Sequence, residues 1–178
     1  AIGEAGAITT SKESYKDFAK TYRNYGSNEK YVNIIKGVNS RIDELQAGIL
    51  NVKLKYLKEF TNERKEIAAR YNNNLKDLRE INIPYVSHEA EHVYHLYVIK
   101  TSKREELVKF LLKNEIQTGI HYPIPPHLQR AYSELGFKKG DFPIAEQMSK
   151  TCLSLPLYPG LTFEEVDLIC DRIKEFYR

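Results

Sequence analysis

One feature constrains this chain more than any other: a run of helical periodicity from Ser40 to Leu78. Apolar residues recur at Ile42, Leu45, Ile49, Val52, Tyr56 and Phe60, then at Ile67, Tyr71, Leu75 and Leu78, and no proline occurs between residues 41 and 83. Ser40-Arg41-Ile42-Asp43 has the outline of a capping box, the hydroxyl covering a free N–H while Asp43 suits the positive helix end. At a rise of about 1.5 Å per residue, an uninterrupted helix over this run spans about 60 Å. No single small globule covers such a rod, so the helix is expected to bridge two domains or lie along a partner, with any bend near Thr61-Asn62.

The flanks read differently. Ala5–Thr9 is small and β-branched after a glycine-rich turn and reads as a short buried strand. Thr10 or Ser11 can cap a helix to about Tyr22, with Tyr15, Phe18, Ala19 and Tyr22 on one face. Arg23-Asn24-Tyr25-Gly26-Ser27-Asn28 breaks it, and the stretch to Asn39 reads as a long ordered loop, a class that is often functional. Beyond Pro84, Val93–Ile99 is a strand with Tyr85-Val86 as its expected partner, and Ser102-Lys103-Arg104-Glu105 outlines a second capping box, opening a helix through Leu107, Phe110 and Leu111. Thr118–Tyr122 reads as another strand, ended by Pro123-Ile124-Pro125-Pro126. Short helical pieces follow around 127–135 and 143–150, then a strand-like Leu153–Leu157. Thr162-Phe163-Glu164-Glu165 caps a last helix through Val166, Ile169, Ile173 and Phe176. Residues 85–178 therefore look like a small α+β domain hung on the long helix.

Composition removes several function classes. The 178 residues are 42% hydrophobic and 29% charged, the balance of a folded protein. A net charge of +3 with both signs interspersed does not point to a nucleic-acid partner. No apolar stretch approaches the roughly 20 residues of a membrane span. Ala1–Gly6 lacks the basic and apolar regions of a signal peptide, which makes a reducing cytoplasm the expected compartment. Cys152 and Cys170 allow one disulfide at most and no four-cysteine zinc site. The sequence has no initiator methionine, so its first residue is not expected to be the start of the gene.

Three segments carry candidate chemistry. His88-Glu89-Ala90-Glu91-His92 fits H-E-x-x-H by letter, but zinc chemistry needs both histidines on one helix face. Pro84 precedes the segment and a strand follows it directly, so a polar turn is the simpler reading. His121-Tyr122-Pro123-Ile124-Pro125-Pro126-His127 places two histidines and a tyrosine around a rigid turn, which suits a polar ligand and equally suits a solvent loop. The loop from Lys30-Tyr31 to Gly37-Val38-Asn39-Ser40 runs into a helix N-terminus, a weak anion signal beside the commoner role of an N-cap. Basic residues across Lys53–Arg79 alternate with acidic ones and read as a solvated helix face.

Taken together, these segments resemble one family. Gly3-Glu4-Ala5-Gly6-Ala7-Ile8-Thr9-Thr10, Arg23-Asn24-Tyr25-Gly26 and Gly37-Val38-Asn39-Ser40-Arg41-Ile42-Asp43-Glu44-Leu45-Gln46-Ala47 are similar to the DegT/DnrJ/StrS sugar aminotransferases. So are Arg70-Tyr71, His121-Tyr122 with Pro126-His127, and Leu155-Pro156-Leu157-Tyr158-Pro159-Gly160-Leu161-Thr162. The resemblance implies an α/β fold class: the C-terminal portion of a fold type I transferase dependent on pyridoxal phosphate (PLP), with a small α+β domain on a long connecting helix. In that scheme residues 1–39 end the large PLP-binding domain and carry an interface loop, residues 40–80 are the connecting helix, and residues 81–178 are the small domain.

The same resemblance implies a homodimer with shared active sites, which aminates a nucleotide-linked keto sugar with an amino-acid donor, glutamate being usual. Asn39 matches the residue that reaches the PLP phosphate of the neighbouring subunit, and Tyr31, His121, Tyr122 and His127 match the nucleotide-sugar region. The family's Schiff-base lysine sits a few residues before the Gly-Glu-x-Gly turn and is expected upstream of Ala1, so these 178 residues alone are expected to be inactive. Relatives with histidine in place of that lysine are sugar dehydratases. That alternative shares every motif quoted, and a nonenzymatic dimerising or regulatory remnant is the further alternative if the gene starts at this chain.

Overall fold

The computed structural model describes residues 3–178, so Ala1 and Ile2 of the expected large-domain segment lie outside the described residues. By internal packing the chain divides into two units, Ala1–Leu57 and Lys58–Arg178.

In the first unit, Ala5–Thr9 forms no strand with any described segment, and Ile8 is 78% exposed. The expected buried strand is therefore not formed: its composition favours a ladder, and no described segment offers one. Helix α1 (Glu13–Tyr22) begins at Lys12 without a side-chain cap, and the Thr10 hydroxyl instead accepts the Lys12 N–H at 3.1 Å. Tyr15, Phe18 and Tyr22 do share a face, yet all three are exposed. The loop after α1 holds a short hairpin, β1 (Ser27–Glu29) against β2 (Val32–Asn33).

The long helix is interrupted. Helix α2 (Glu44–Lys55) ends at Tyr56, where the backbone turns to φ −100°, ψ 1° and the N–H bonds three residues back to Lys53. Helix α3 (Leu57–Leu75) then resumes, so the break falls at Tyr56 and not at the expected Thr61-Asn62. One tightened turn leaves an i, i+3, i+4 apolar pattern in register, which is why the pattern did not reveal it. The Ser40 capping box is also absent. The Ser40 N–H donates to Arg23 O, and the helix starts later, with Asp43 at the N-cap and no side-chain cap bond. Neither α1 nor α2 buries a residue.

The second unit has a core of its own. Helix α3 contributes Ile67, Ala68, Tyr71 and Leu75, all on one face of the 3.6-residue period. Strand β3 (Tyr97–Lys100) pairs antiparallel with β4 (Cys152–Leu155), Tyr97 facing Leu155 and Lys100 facing Cys152. Single bridges extend this sheet on both edges, Asn82 to Lys100 and Gly119 to Ser154. The partner of β3 on that side is thus Asn82 and not Tyr85-Val86; Tyr85 is 86% exposed. The expected Thr118–Tyr122 strand is reduced to the Gly119 bridge. Helix α4 (Arg104–Lys113) buries Leu107 and Leu111, and α6 (Phe163–Tyr177) buries Val166, Ile169, Cys170 and Ile173.

The capping boxes divide cleanly. At α6, Glu165 N donates to Thr162 Oγ1 while Thr162 N donates to the Glu165 carboxylate, as expected. At α4 the Ser102 box is not made: the buried Thr101 hydroxyl accepts the Lys103 N–H, and Glu105 pairs with Arg104. Between these two helices α5 (Pro143–Thr151) opens with proline in its first turn. Both cysteines are free and buried, and burial pushes the Cys170 thiol up to about 12. No helix among the described residues is long and apolar enough to cross a membrane.

Helix α3 is tied to α6 by Arg70, which donates Nε and Nη2 to the two Asp167 oxygens at 2.8 and 2.5 Å, and by Asn74, which donates to Asp167 at 2.7 Å. These donors hold the Asp167 carboxyl at about 2, below its ordinary value of 3.8. The stability this adds is present above pH 3.8 and is lost as pH falls toward 2. Asp167→Asn is accordingly expected to remove part of the acid sensitivity between those pH values, read from thermal unfolding across the range. An unchanged acid limb would show that the pair is not linked to folding.

Candidate functional site

In the first unit, residues 23–40 form a loop closed at its neck. Tyr25 N donates to Val38 O at 2.9 Å, Val38 N to Tyr22 O at 2.8 Å and Ser40 N to Arg23 O at 2.8 Å, and Asn24 and Asn39 form an antiparallel bridge. The approach requires glycine. Gly26 has φ +75°, and a Cβ there would lie 1.7 Å from Ile35 O; one on Gly37 would lie 2.1 Å from Gly26 N.

Across this neck Arg41 donates Nη1 to Asn24 Oδ1 at 2.9 Å and Nε to Asn39 Oδ1 at 3.2 Å, and its guanidinium lies 5.2 Å from the Tyr25 ring centre. Because Arg41 engages the amide oxygen, the orientation of Asn39 is set. Its Nδ2 donors have no partner among the described residues. Beside the neck is an open cleft of about 530 Å³ whose lining includes Lys20, Arg23 and Arg41 against the single acid Asp17. Asn39 does not line this cleft; together with Arg41 it presents one oriented amide N–H group beside a guanidinium, a donor set whose chemistry fits a phosphate such as that of PLP. Tyr31 stands at the hairpin tip, 88% exposed with φ +69°, and Lys30 Nζ lies 5.1 Å from its ring centre.

In the second unit the proline-rich segment carries the other candidates. His121 Nδ1 lies 2.9 Å from Ser154 Oγ, and the Tyr122 ring meets the imidazole edge-on at 5.4 Å while remaining 71% exposed. His127 differs from both. Its Nε2 pairs with Glu146 at 3.2 Å, each side chain only 8% exposed, and its ring packs 4.8 Å from that of Phe142. The Gly140 N–H donates to the same Glu146 oxygen at 2.6 Å, and with His127 it holds that carboxyl below its ordinary range. His127 is thus a covered anchor of the proline turn, whereas His121 and Tyr122 face outward.

His88-Glu89 lies in a turn, and His92 Nδ1 accepts the Tyr94 N–H at 2.8 Å, so the helix that H-E-x-x-H requires is not formed. The structure therefore gathers Asn39 and Tyr31 on one loop, and His121, Tyr122 and His127 on one turn. Reasoning from sequence missed Arg41 and Asn24 as orienting groups, although Arg41 stands two residues from Asn39. It also missed Ser154 and Glu146, for which no local signal exists.

Known proteins decide the family. The model of the DegT/DnrJ/EryC1/StrS aminotransferase family matches residues 1–174. The chain belongs to the DegT/DnrJ/EryC1/StrS aminotransferase family. This family member is 44% identical over 171 residues to dTDP-3-amino-3,6-dideoxy-alpha-D-galactopyranose transaminase of Aneurinibacillus thermoaerophilus, with 96% of the chain covering 46% of that protein. Its structure superposes with a TM-score of 0.91 on S. venezuelae DesV in complex with a ketimine intermediate, at 35% identity, covering 94% of this chain and 45% of that one. It also superposes with a TM-score of 0.83 on NtdA from Bacillus subtilis with bound cofactor PMP, at 30% identity, covering 93% of this chain and 40% of that one. The chain thus spans about half the length of the curated relatives it matches. Its fold is that of a portion of the PLP-dependent sugar aminotransferases, the α/β class expected from the sequence.

Proposed function

We propose that this chain is the C-terminal segment of an aminotransferase that moves an amino group, from glutamate, to a keto sugar carried on a nucleotide. The observation that carries the reading is the loop neck, where Arg41 fixes the Asn39 amide oxygen and leaves its N–H donors for an anion. In the assembled enzyme residues 1–39 complete the large PLP-binding domain, residues 40–80 connect, and residues 81–178 form the small domain. PLP, when bound, carries the amino group between donor and acceptor.

Within this scheme Asn39 holds the phosphate of PLP in a neighbouring subunit. The exposed apolar residues of the first unit, Phe18 at 59%, Leu45 at 79% and Leu54 at 65%, are available to be covered by the rest of the large domain or by a second subunit. Tyr31, His121 and Tyr122 contact the nucleotide sugar, and His127 serves the same region by anchoring the proline turn through Glu146.

In the enzyme that carries this chain, Asn39→Ala is expected to weaken PLP binding about tenfold, the scale of one hydrogen bond to a charged group. Fluorescence titration of cofactor into the apoenzyme measures it. Binding equal to that of the parent enzyme would remove Asn39 from the phosphate site.

A further inference from the structure

Strand β4 is buried along its whole length, yet its sequence is Cys-Leu-Ser-Leu. A serine there is costly unless its hydroxyl is bonded. Ser154 is 4% exposed, and its Oγ has one partner among the described residues, His121 Nδ1 at 2.9 Å. The backbone brings the two together: Gly119 N donates to Ser154 O at 3.0 Å and Ser154 N to Gly119 O at 2.7 Å, which places His121 just beyond a tight pair. The imidazole then lies directly over Gly119. A Cβ at that residue would stand 2.7 Å from His121 Cε1, so the ring occupies the space a side chain would take.

The chemistry of the hydroxyl selects a tautomer. If Nδ1 carried the proton and donated to Ser154, the buried serine hydrogen would have no acceptor. If the serine donates to Nδ1, every buried group is bonded, and neutral His121 carries its proton on Nε2. That nitrogen makes no bond among the described residues and belongs to an exposed ring.

We propose that Ser154 and Gly119 are positioning residues that hold His121 as an outward-facing Nε2–H donor to an oxygen of the nucleotide sugar. The ligand half of this statement rests on the reading of His121 as a substrate contact. The half concerning the tautomer does not.

Long-range 1H–15N NMR of the enzyme labelled with [15N]histidine tests it at a pH where His121 is neutral, the signal being assigned by its loss in His121→Gln. The proton is expected on Nε2, with Ser154→Ala giving a mixture of tautomers and Ser154→Thr restoring the single form. In steady-state assays Ser154→Ala is expected to raise KM for the nucleotide sugar about fivefold with kcat nearly unchanged, the scale of one neutral hydrogen bond. A proton on Nδ1, or no tautomer change in Ser154→Ala, overturns the positioning role. The expected tautomers together with an unchanged KM in His121→Gln would instead overturn the substrate role of His121.

Discussion

Tyr71→Ala is expected to lower the unfolding free energy by about 3–5 kcal/mol, the usual cost of emptying a large buried aromatic site. Tyr71 is fully buried on α3, its ring stacked 4.7 Å from that of Tyr97, and its hydroxyl donates to Pro156 O at 2.9 Å. The phenol joins the helix to the segment leaving β4, and burial pushes its pKa up, so the donor persists across the working pH range. Tyr71→Phe keeps the ring but strands a carbonyl, for an expected loss of about 1–3 kcal/mol. Denaturant unfolding of the two variants separates packing from the hydrogen bond. Equal losses would mean that the ring contributes nothing beyond its hydroxyl.

Gly26→Ala is expected to open the loop neck. The residue sits at φ +75°, and the added Cβ would meet a backbone carbonyl, Ile35 O, which cannot rotate out of the way as a side chain could. With the neck open, Asn39 loses its bridge to Asn24, so PLP affinity should fall by at least the roughly tenfold expected for loss of the Asn39 bond. Gly48→Ala provides the contrast: it lies in α2 with nothing within 4 Å of an added Cβ, and is expected to be neutral or to stabilise by up to about 1 kcal/mol. Cofactor titration alongside thermal unfolding distinguishes the two. A Gly26→Ala enzyme that binds PLP normally would show that the neck does not place Asn39.

The legibility of this fold followed the range of the interactions involved. The α6 capping box spans four adjacent residues and formed as its letters suggest. Ser40 and Ser102 carry similar letters without forming boxes, because their neighbourhoods were already engaged, Ser40 by Arg23 across the loop neck and the turn at Ser102 by the Thr101 hydroxyl. The Ala5–Thr9 strand failed for a related reason. β-propensity expresses fit to neighbouring strands, and the neighbours must exist.

The candidate site shows the same division. Motif resemblance pointed to the family, which the comparisons establish, and proposed Asn39, Tyr31, His121, Tyr122 and His127 as site residues. Residue identity could not say that His127 is covered and paired with Glu146 nineteen residues away, while His121 is exposed and hydrogen-bonded to Ser154 thirty-three residues away. The sequence by itself determined the helical run, the amphipathic faces of α3 and α6, and the family motifs, since these depend on the period of the backbone and on letters in a fixed order. Only the tertiary structure decided the break at Tyr56, the closed neck beside Asn39, and which histidine is covered and which is exposed. The neck and the histidine partners depend on contacts between residues distant in sequence, whose partners no local pattern specifies, while the tightened turn at Tyr56 is local but leaves the apolar pattern unbroken.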